Sequence, residues 1–578
     1  MSREHSARIN RRGREARGFV LVTFMDRREW VRLMAVLGAA VPVSGQQRMG
    51  TAQAGRISKG MLVNALKLMG LECTDAQLEL MLPRVNRGLG NIEALRKIDV
   101  PLDTEPATTF SPLLPGRRWP ASAAFRTSRP TIPRDWKKDG RLPFLSVLQL
   151  SALVRARAIT SVELTRLYLA RLKQYAPRLN FVITFTEDLA LDQAARADAE
   201  IRRGRYRGAL HGIPWGAKDL FAVKGVRTTW GAEPYQNQVT GYDATVVERL
   251  EKAGAVLLAK LSMGALAMGG LWFGGMTKTP WDQDESSSGS SAGSASATAA
   301  GCVGFSLGTE TLGSILSPSI RCGAAGLRPT YGRVSRHGAM ALSWTMDKVG
   351  PICRSVEDCA LVLRAIHGPD GRDGTVIDAP FAWDARRPLS RLRVGVLHKD
   401  FEGLKGEEKL VYTRALADLG KAGVRMTPVE LPPFDAGPLL TILSAEGAAA
   451  FDDLTRGGGL DQLKDQGPGA WPNSFRSSRL IPAVEYIRAQ RARRLLMREM
   501  DRFMEGWDVL VSPPYAGQIL TITNLTGHPQ AVAPCGFAGR LPRGIVFTGR
   551  LCEEGLPLRV ALAYEKATKW HTLRPPWS

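Results

Sequence analysis

The stretch Glu285–Gly301 reads ESSSGSSAGSASATAAG, and it runs directly into Cys302–Pro318, CVGFSLGTETLGSILSP. After Glu285 no side chain in the first part is larger than Thr. Two readings compete. Such a run is a flexible linker, or it is a place where backbone must approach something closely. The flanks decide between them. WFGGMTKTPWD precedes the run and the apolar CVGFSL follows it, so it is embedded in a folded region. Ala292–Ala300 suits a small-faced helix, Ala being the best helix former.

Working outward, helical and strand periodicities alternate. Thr160 and Glu163 form a capping box before the helix SVELTRLYLARLKQY. The strand NFVITFT follows, then the helix LALDQAARADAEIRRG. YDATVVERLEKAG precedes the strand AVLLAKLS, and RLRVGVL precedes the helix EEKLVYTRALADLGKAG. Near the end WDVLVSPP is a strand leading into a Pro loop. This alternation predicts an α/β fold around a mixed or parallel sheet.

The first hundred residues are different. From Met25 the sequence MDRREWVRLMAVLGAAVPVSG sets Arg27 and Arg28 before an apolar run, Leu33–Val43, and then small residues. That is the layout of a twin-arginine secretory signal, too short to span a bilayer. Residues 1–54 are therefore expected to be an N-terminal extension with a signal-like segment. Residues 55–100 read as a helical module with Leu62, Leu66 and Leu68 on one apolar face and Thr74 or Asp75 as a cap. Residues 101–144 read as a Pro-rich connector or wrapping arm, not a packed element, and residues 145–570 as the main domain. An exported, periplasmic or cell-envelope protein is expected, with a cytoplasmic one as the alternative, and no stable membrane span after processing.

Composition narrows the function. The chain of 578 residues is 44% hydrophobic, ample for packed domains, and carries a net charge of +23. Its Arg and Lys residues are spread along the chain, often beside Asp or Glu, without an RRM, zinc-finger or basic-heptad pattern. This reads as a solvated Arg-rich surface, not a nucleic-acid interface. Seven cysteines without a C-x-x-C pair read as buried apolar residues. No His spacing suits a metal.

Gly289–Gly293, GSSAG, matches the G-x-S-x-G elbow and would nominate Ser291, but WDQDESSS before it is too polar for a buried strand. Three other segments belong together: GIPWGAKDLFAVKG with Lys218, the Ser run, and GTETLGSILSP with Ser314. With CGAAGLRPTYGRVS, DATVVERLEKAGAV, DVLVSPP and NLTGHPQAVAPCG in this chain as well, it resembles the amidase signature family of serine hydrolases from about Leu145 to about Lys569.

The resemblance implies a mixed central β-sheet covered by helices on both faces. It implies a Ser-Ser-Lys triad of Lys218, Ser290 and Ser314, with Ser290 following a cis peptide bond. It also implies an oxyanion hole of backbone N–H groups at Thr311, Leu312, Gly313 and Ser314. No cofactor or metal is implied; the partner is a small-molecule amide. The chemistry suits these residue types. A serine hydroxyl needs a base. Lysine serves near pH 7–8 only if its pKa falls from about 10.4 to about 7, which burial achieves. Lys218 is thus expected to be buried with few acidic neighbours, and Asp219 to point elsewhere.

Glu285–Ser288 departs from the family's R-T-[PS]-G, Leu312 stands where Gly is usual, Glu310 where Asp is, and Leu316 where Arg or Gln is. These changes bear on oxyanion geometry and substrate choice. The expected activity is hydrolysis of a carboxylic amide through an acyl-enzyme. The alternatives are a glutamine-hydrolysing amidotransferase A-type subunit, and a catalytically impaired member that acts as a scaffold, Leu312 being its hint. His211 and the sequon at Asn524 are expected to be structural. The segment from about Asp435 to Ala483 is expected to shape the pocket mouth.

Overall fold

The computed structural model describes residues 56–95, 97, 108–116, 123–138 and 140–576. The signal-like segment and the paired arginines lie outside them. The chain divides into two units, one ending at Asp99 and the other beginning at Val100.

In the first unit, α1 (Lys59–Leu68) is capped by Ser58, whose Oγ accepts from Met61 N at 3.3 Å. α2 (Asp75–Leu95) is capped by Thr74, which exchanges hydrogen bonds with Gln77. Leu62 and Leu66 pack with Leu78. Leu68 does not join them and is 76% exposed. Six residues on from Leu62, it lies about 120° round the helix from it, which the expected apolar face overlooked.

The second unit is built on an 11-stranded mixed sheet. In chain order its strands are β1 (Val182–Phe185), β2 (Pro214–Lys218), β3 (Val256–Leu261), β4 (Phe305–Glu310), β5 (Ala325–Arg328), β6 (Lys348–Cys353), β7 (Val394–Leu397), β8 (Met426–Val429), β9 (Val509–Ser512), β10 (Gln530–Ala538) and β11 (Leu541–Gly549). Their order across the sheet is β8-β7-β9-β11-β10-β5-β6-β4-β2-β3-β1. β2 lies parallel to both β3 and β4, whereas β4 and β6 are antiparallel. Every residue of β2, β3, β4, β6 and β9 is buried. Side chains alternate between faces along a strand, so these central strands are covered on both sides.

The helices of this unit include α3 (Ser161–Leu179), α4 (Glu187–Arg202), α5 (Ala292–Ala299), α6 (Leu316–Cys322), α7 (Ala483–Met504) and α8 (Ile519–Thr526). The capping box at α3 forms: Thr160 Oγ1 accepts from Glu163 N at 3.1 Å, and Glu163 Oε2 accepts from Thr160 N at 2.8 Å.

The described part of the Pro-rich connector wraps the domain and does pack. The Phe110 ring lies under the Arg493 guanidinium at 3.4 Å, and Phe125–Arg126 pairs in parallel with Trp383–Asp384. Asp282–Ser286, expected to be no buried strand, forms a partly exposed strand paired with Lys278–Thr279, outside the central sheet. All cysteines except Cys73 are buried thiols.

Candidate active site

Lys218 ends β2, and its neighbour β4 ends at Glu310. Because the two strands run parallel, in register from Trp215↔Phe305, their C-terminal ends meet at one edge of the sheet. Open α/β sheets present ligand sites at such edges. The Lys218 side chain is fully buried. Its Nζ donates to Ser290 Oγ at 2.8 Å, to Thr309 Oγ1 at 2.8 Å and to the Thr309 carbonyl at 3.4 Å. None of these partners carries a charge.

Asp219, next in sequence, turns away as expected. Its Oδ2 accepts from Thr229 N at 2.8 Å, and its Oδ1 lies 2.9 Å from Lys260 Nζ on β3. Burial lowers the Lys218 pKa to about 7, against the weaker upward pull of Asp347 and Glu310. Those two carboxylates are engaged elsewhere. Asp347 accepts from Thr311 Oγ1 at 2.5 Å and from the amides of Leu342 and Ser343. Glu310 pairs with Arg328 at 2.7 Å and accepts from Ile315 N at 2.9 Å, Leu316 N at 3.0 Å and Asn524 Nδ2 at 3.1 Å. Burial would raise the Glu310 pKa, but the Arg328 and Lys348 charges outweigh it and hold the carboxyl below its ordinary value.

The small-residue run is not a linker. All eight residues of α5 are buried. A Cβ on Gly289 would fall 1.7 Å from the Gly269 carbonyl oxygen, and one on Gly293 would fall 2.5 Å from that of Phe181. Backbone therefore occupies the space that larger side chains would need. The small polar side chains stitch α5 to β4: Ser294 Oγ donates to Leu307 O at 2.9 Å, and Thr298 and Ser306 share a hydroxyl contact of 2.8 Å. The Gly289–Ser290 peptide is cis. Ser291, the elbow candidate, is fully buried and satisfied: its Oγ donates to Thr309 O at 3.1 Å and accepts from Thr309 N at 3.2 Å.

Between β4 and α6 runs the loop with Thr311, Leu312, Gly313 and Ser314. Gly313 has φ +88°, which L side chains rarely adopt, so glycine is needed there. Leu312 is not among the positive-φ residues, so its Cβ meets no backbone prohibition. Glu310 holds the far side of the loop through the amides of Ile315 and Leu316. The amides of Leu312, Gly313 and Ser314 donate to no acceptor among the described residues. Ser314 is 9% exposed, and its carbonyl accepts from Ser291 N at 3.2 Å.

The structure thus joins Lys218 and Ser290 directly. It seats Ser314 against Ser291 through the backbone, with no hydrogen bond between the Ser314 and Ser290 hydroxyls among the described residues. Thr309, which the sequence reading missed, is a further partner of Lys218; its only signal was its place in G-T-E. His211 stands apart, accepting from Arg207 N at 3.1 Å with Nε2 3.4 Å from Glu200. Asn524 is fully buried on α8, clamping Glu310, as a structural residue.

A small cavity opens on Thr309 and Thr311, with Leu220, Ala267, Trp344 and Lys348 in its wall. A second joins Met268–Gly270 to Leu463–Asp465 and Trp471, the latter two from the segment expected to shape a pocket mouth.

A family model described as Amidase matches residues 163–556. The A-type subunit of glutamyl-tRNA(Gln) amidotransferase from Marinomonas sp. (strain MWYL1) is 35% identical over 477 residues, covering 74% of this chain and 98% of that protein. Its counterpart from Dechloromonas aromatica (strain RCB) is 36% identical over 482 residues, with the same two coverages of 74% and 98%. Among solved structures, native peptide amidase from Stenotrophomonas maltophilia superimposes with a TM-score of 0.65 at 31% identity, over 75% of this chain and 98% of that one.

Proposed function

The chain belongs to the amidase signature family, and from that premise we propose that it hydrolyses a carboxylic amide to an acid and ammonia or an amine. The observation that carries this reading is the contact of 2.8 Å between Ser290 Oγ and a buried lysine amine that has no carboxylate partner among the described residues. An amine with a pKa of about 7 is substantially uncharged at neutral pH and serves as a base.

In the proposed sequence Ser314 Oγ attacks the amide carbonyl carbon as its proton passes to Ser290, whose own proton passes to Lys218. The tetrahedral oxyanion is held by the loop amides of Thr311 to Ser314. Collapse expels the amine, which takes back the proton through Ser290. Water then cleaves the Ser314 ester by the same route, releasing the acid. The hydroxyls need not touch before substrate binds, because such contacts often tighten only in the complex.

A second reading, a glutamine-hydrolysing A-type subunit, rests on relatives of that name at 35–36% identity. The retained Gly313 and the negative φ of Leu312 argue against the impaired-scaffold reading. A fluorophosphonate probe and an amide panel that includes glutamine test all three. Labelling at Ser314 with ammonia release from simple aliphatic, aryl or peptide amides supports the amidase. Release from glutamine alone favours the amidotransferase reading. Absence of labelling leaves the scaffold.

A further inference from the structure

α7 carries a feature that the reaction does not use. Its inner face is buried through Arg493, Leu496, Met497, Met500 and Met504. Its outer face is neither a core face nor an ordinary solvated one. Val484 is 69% exposed, Ile487 57% and Leu495 54%, and Leu480 just before the helix is 65% exposed. Between them stand Arg488, Arg491 and Arg498. These three guanidiniums have no carboxylate partner among the described residues, while Arg502 at the end of the row pairs with Glu499 at 2.9 Å. At 100° per residue, Val484, Ile487, Arg488, Arg491, Leu495, Arg498 and Arg502 all fall within an arc of about 100°. The acidic Glu485 and Asp501 fall outside it.

Each half of this pattern has its own implication. Aliphatic side chains left on an outer face gain free energy only by leaving water. Unpaired guanidiniums on the same stripe call for anionic oxygen. A lipid headgroup region offers phosphate at its surface and hydrocarbon a few ångströms deeper. Nucleic acid offers the phosphate alone, and the arc has no aromatic ring to stack on bases. No helix among the described residues is long and apolar enough to cross a membrane, so the contact is peripheral.

We propose that the outer face of α7 docks the protein on an anionic lipid surface. Leu480, Val484, Ile487 and Leu495 enter the headgroup–acyl boundary, and Arg488, Arg491 and Arg498 pair with lipid phosphates.

The test is co-sedimentation of the full chain at physiological ionic strength with phosphatidylcholine vesicles, with or without phosphatidylglycerol. The wild type is expected to pellet only with the phosphatidylglycerol vesicles. The triple variant Arg488→Gln, Arg491→Gln, Arg498→Gln is expected to bind roughly a hundredfold more weakly, since each cation near the surface contributes several-fold. The triple variant Val484→Ser, Ile487→Ser, Leu495→Ser keeps its charge and is expected to lose about tenfold or more. These side chains lie on the outer face, so unfolding curves of both variants should overlay the wild type. The proposal is overturned if the wild type stays in the supernatant. It is equally overturned if the arginine variant pellets like the wild type, which would assign the binding to the overall charge. A third contrary outcome is that the arginine substitutions weaken RNA binding in a gel shift while no vesicle binding is found.

Discussion

Two lysines sit on adjacent parallel strands, both fully buried, and they live in opposite electrostatic conditions. Lys260 on β3 faces Asp219 at 2.9 Å and gives a hydrogen bond of 2.7 Å to Thr228 Oγ1. Among the described residues Lys218 on β2 bonds only to the hydroxyls of Ser290 and Thr309 and a carbonyl. Yet Asp219 is bonded covalently to Lys218. Strand pleating turns successive side chains to opposite faces, so the acid beside one lysine in sequence serves the other in space. Burial lowers the pKa of Lys260 as well, but there the charge and hydrogen bond of Asp219 oppose it as a counter-ion and favour the ion pair. A buried amine without one gives up its proton more readily and becomes a base. The catalytic reading depends on this division of partners, not on burial alone.

The comparison can be broken most severely at the proposed reacting groups. Ser314→Ala is expected to abolish fluorophosphonate labelling and lower amide turnover by about 10⁴-fold or more, and Lys218→Met to do nearly the same, both without unfolding. Turnover of the purified variants checks this. Ser290→Ala should cost about 10²–10⁴-fold, the range for a positioned proton-transfer group.

Stability sharpens the contrast. Asp219→Asn leaves Lys260 buried and unpaired, and is expected to destabilise the fold by about 3–5 kcal/mol in urea unfolding. Lys218→Met should instead stabilise it, by roughly 1–3 kcal/mol near neutral pH, because an unpaired amine is replaced by a side chain suited to burial. The sign of the pH dependence follows from a folded pKa of about 7 below an unfolded one near 10.4. Between these values the unfolded chain binds more protons, so the wild type gains stability as pH rises. The advantage of Lys218→Met should therefore be largest below pH 7 and shrink toward pH 10. Thr309→Val should have the smallest effect. Losing a hydroxyl that accepts from the ammonium favours the neutral amine, and the apparent pKa in the rate profile should fall by less than about one unit.

The α/β alternation, the capping box at Thr160 and the Lys218–Ser290 pairing were legible because each is written in local periodicity or in motif order. The small side chains of α5 were legible as a demand for close approach, though not what approaches: the Gly269 carbonyl comes from a separate loop. Thr309 and Asp347 could not be read. Thr309 reaches Lys218 only because β4 lies beside β2, and Asp347 reaches Thr311 only through the antiparallel pairing of β6 with β4. Lys260 as the partner of Asp219 likewise depends on the β2–β3 register, which no local pattern specifies. Leu68 shows the opposite error, where local pattern was trusted beyond what it determines.

The claim beneath the whole account is that Lys218 is uncharged when it acts. The most direct measurement is the pH dependence of the rate at which a fluorophosphonate acylates Ser314, in the wild type and in Lys218→Met. The account predicts a sigmoidal rise with pH centred near 7 in the wild type, and a residual rate in the variant that lacks this limb. A wild-type limb near 10, or the same limb retained in the variant, would contradict it.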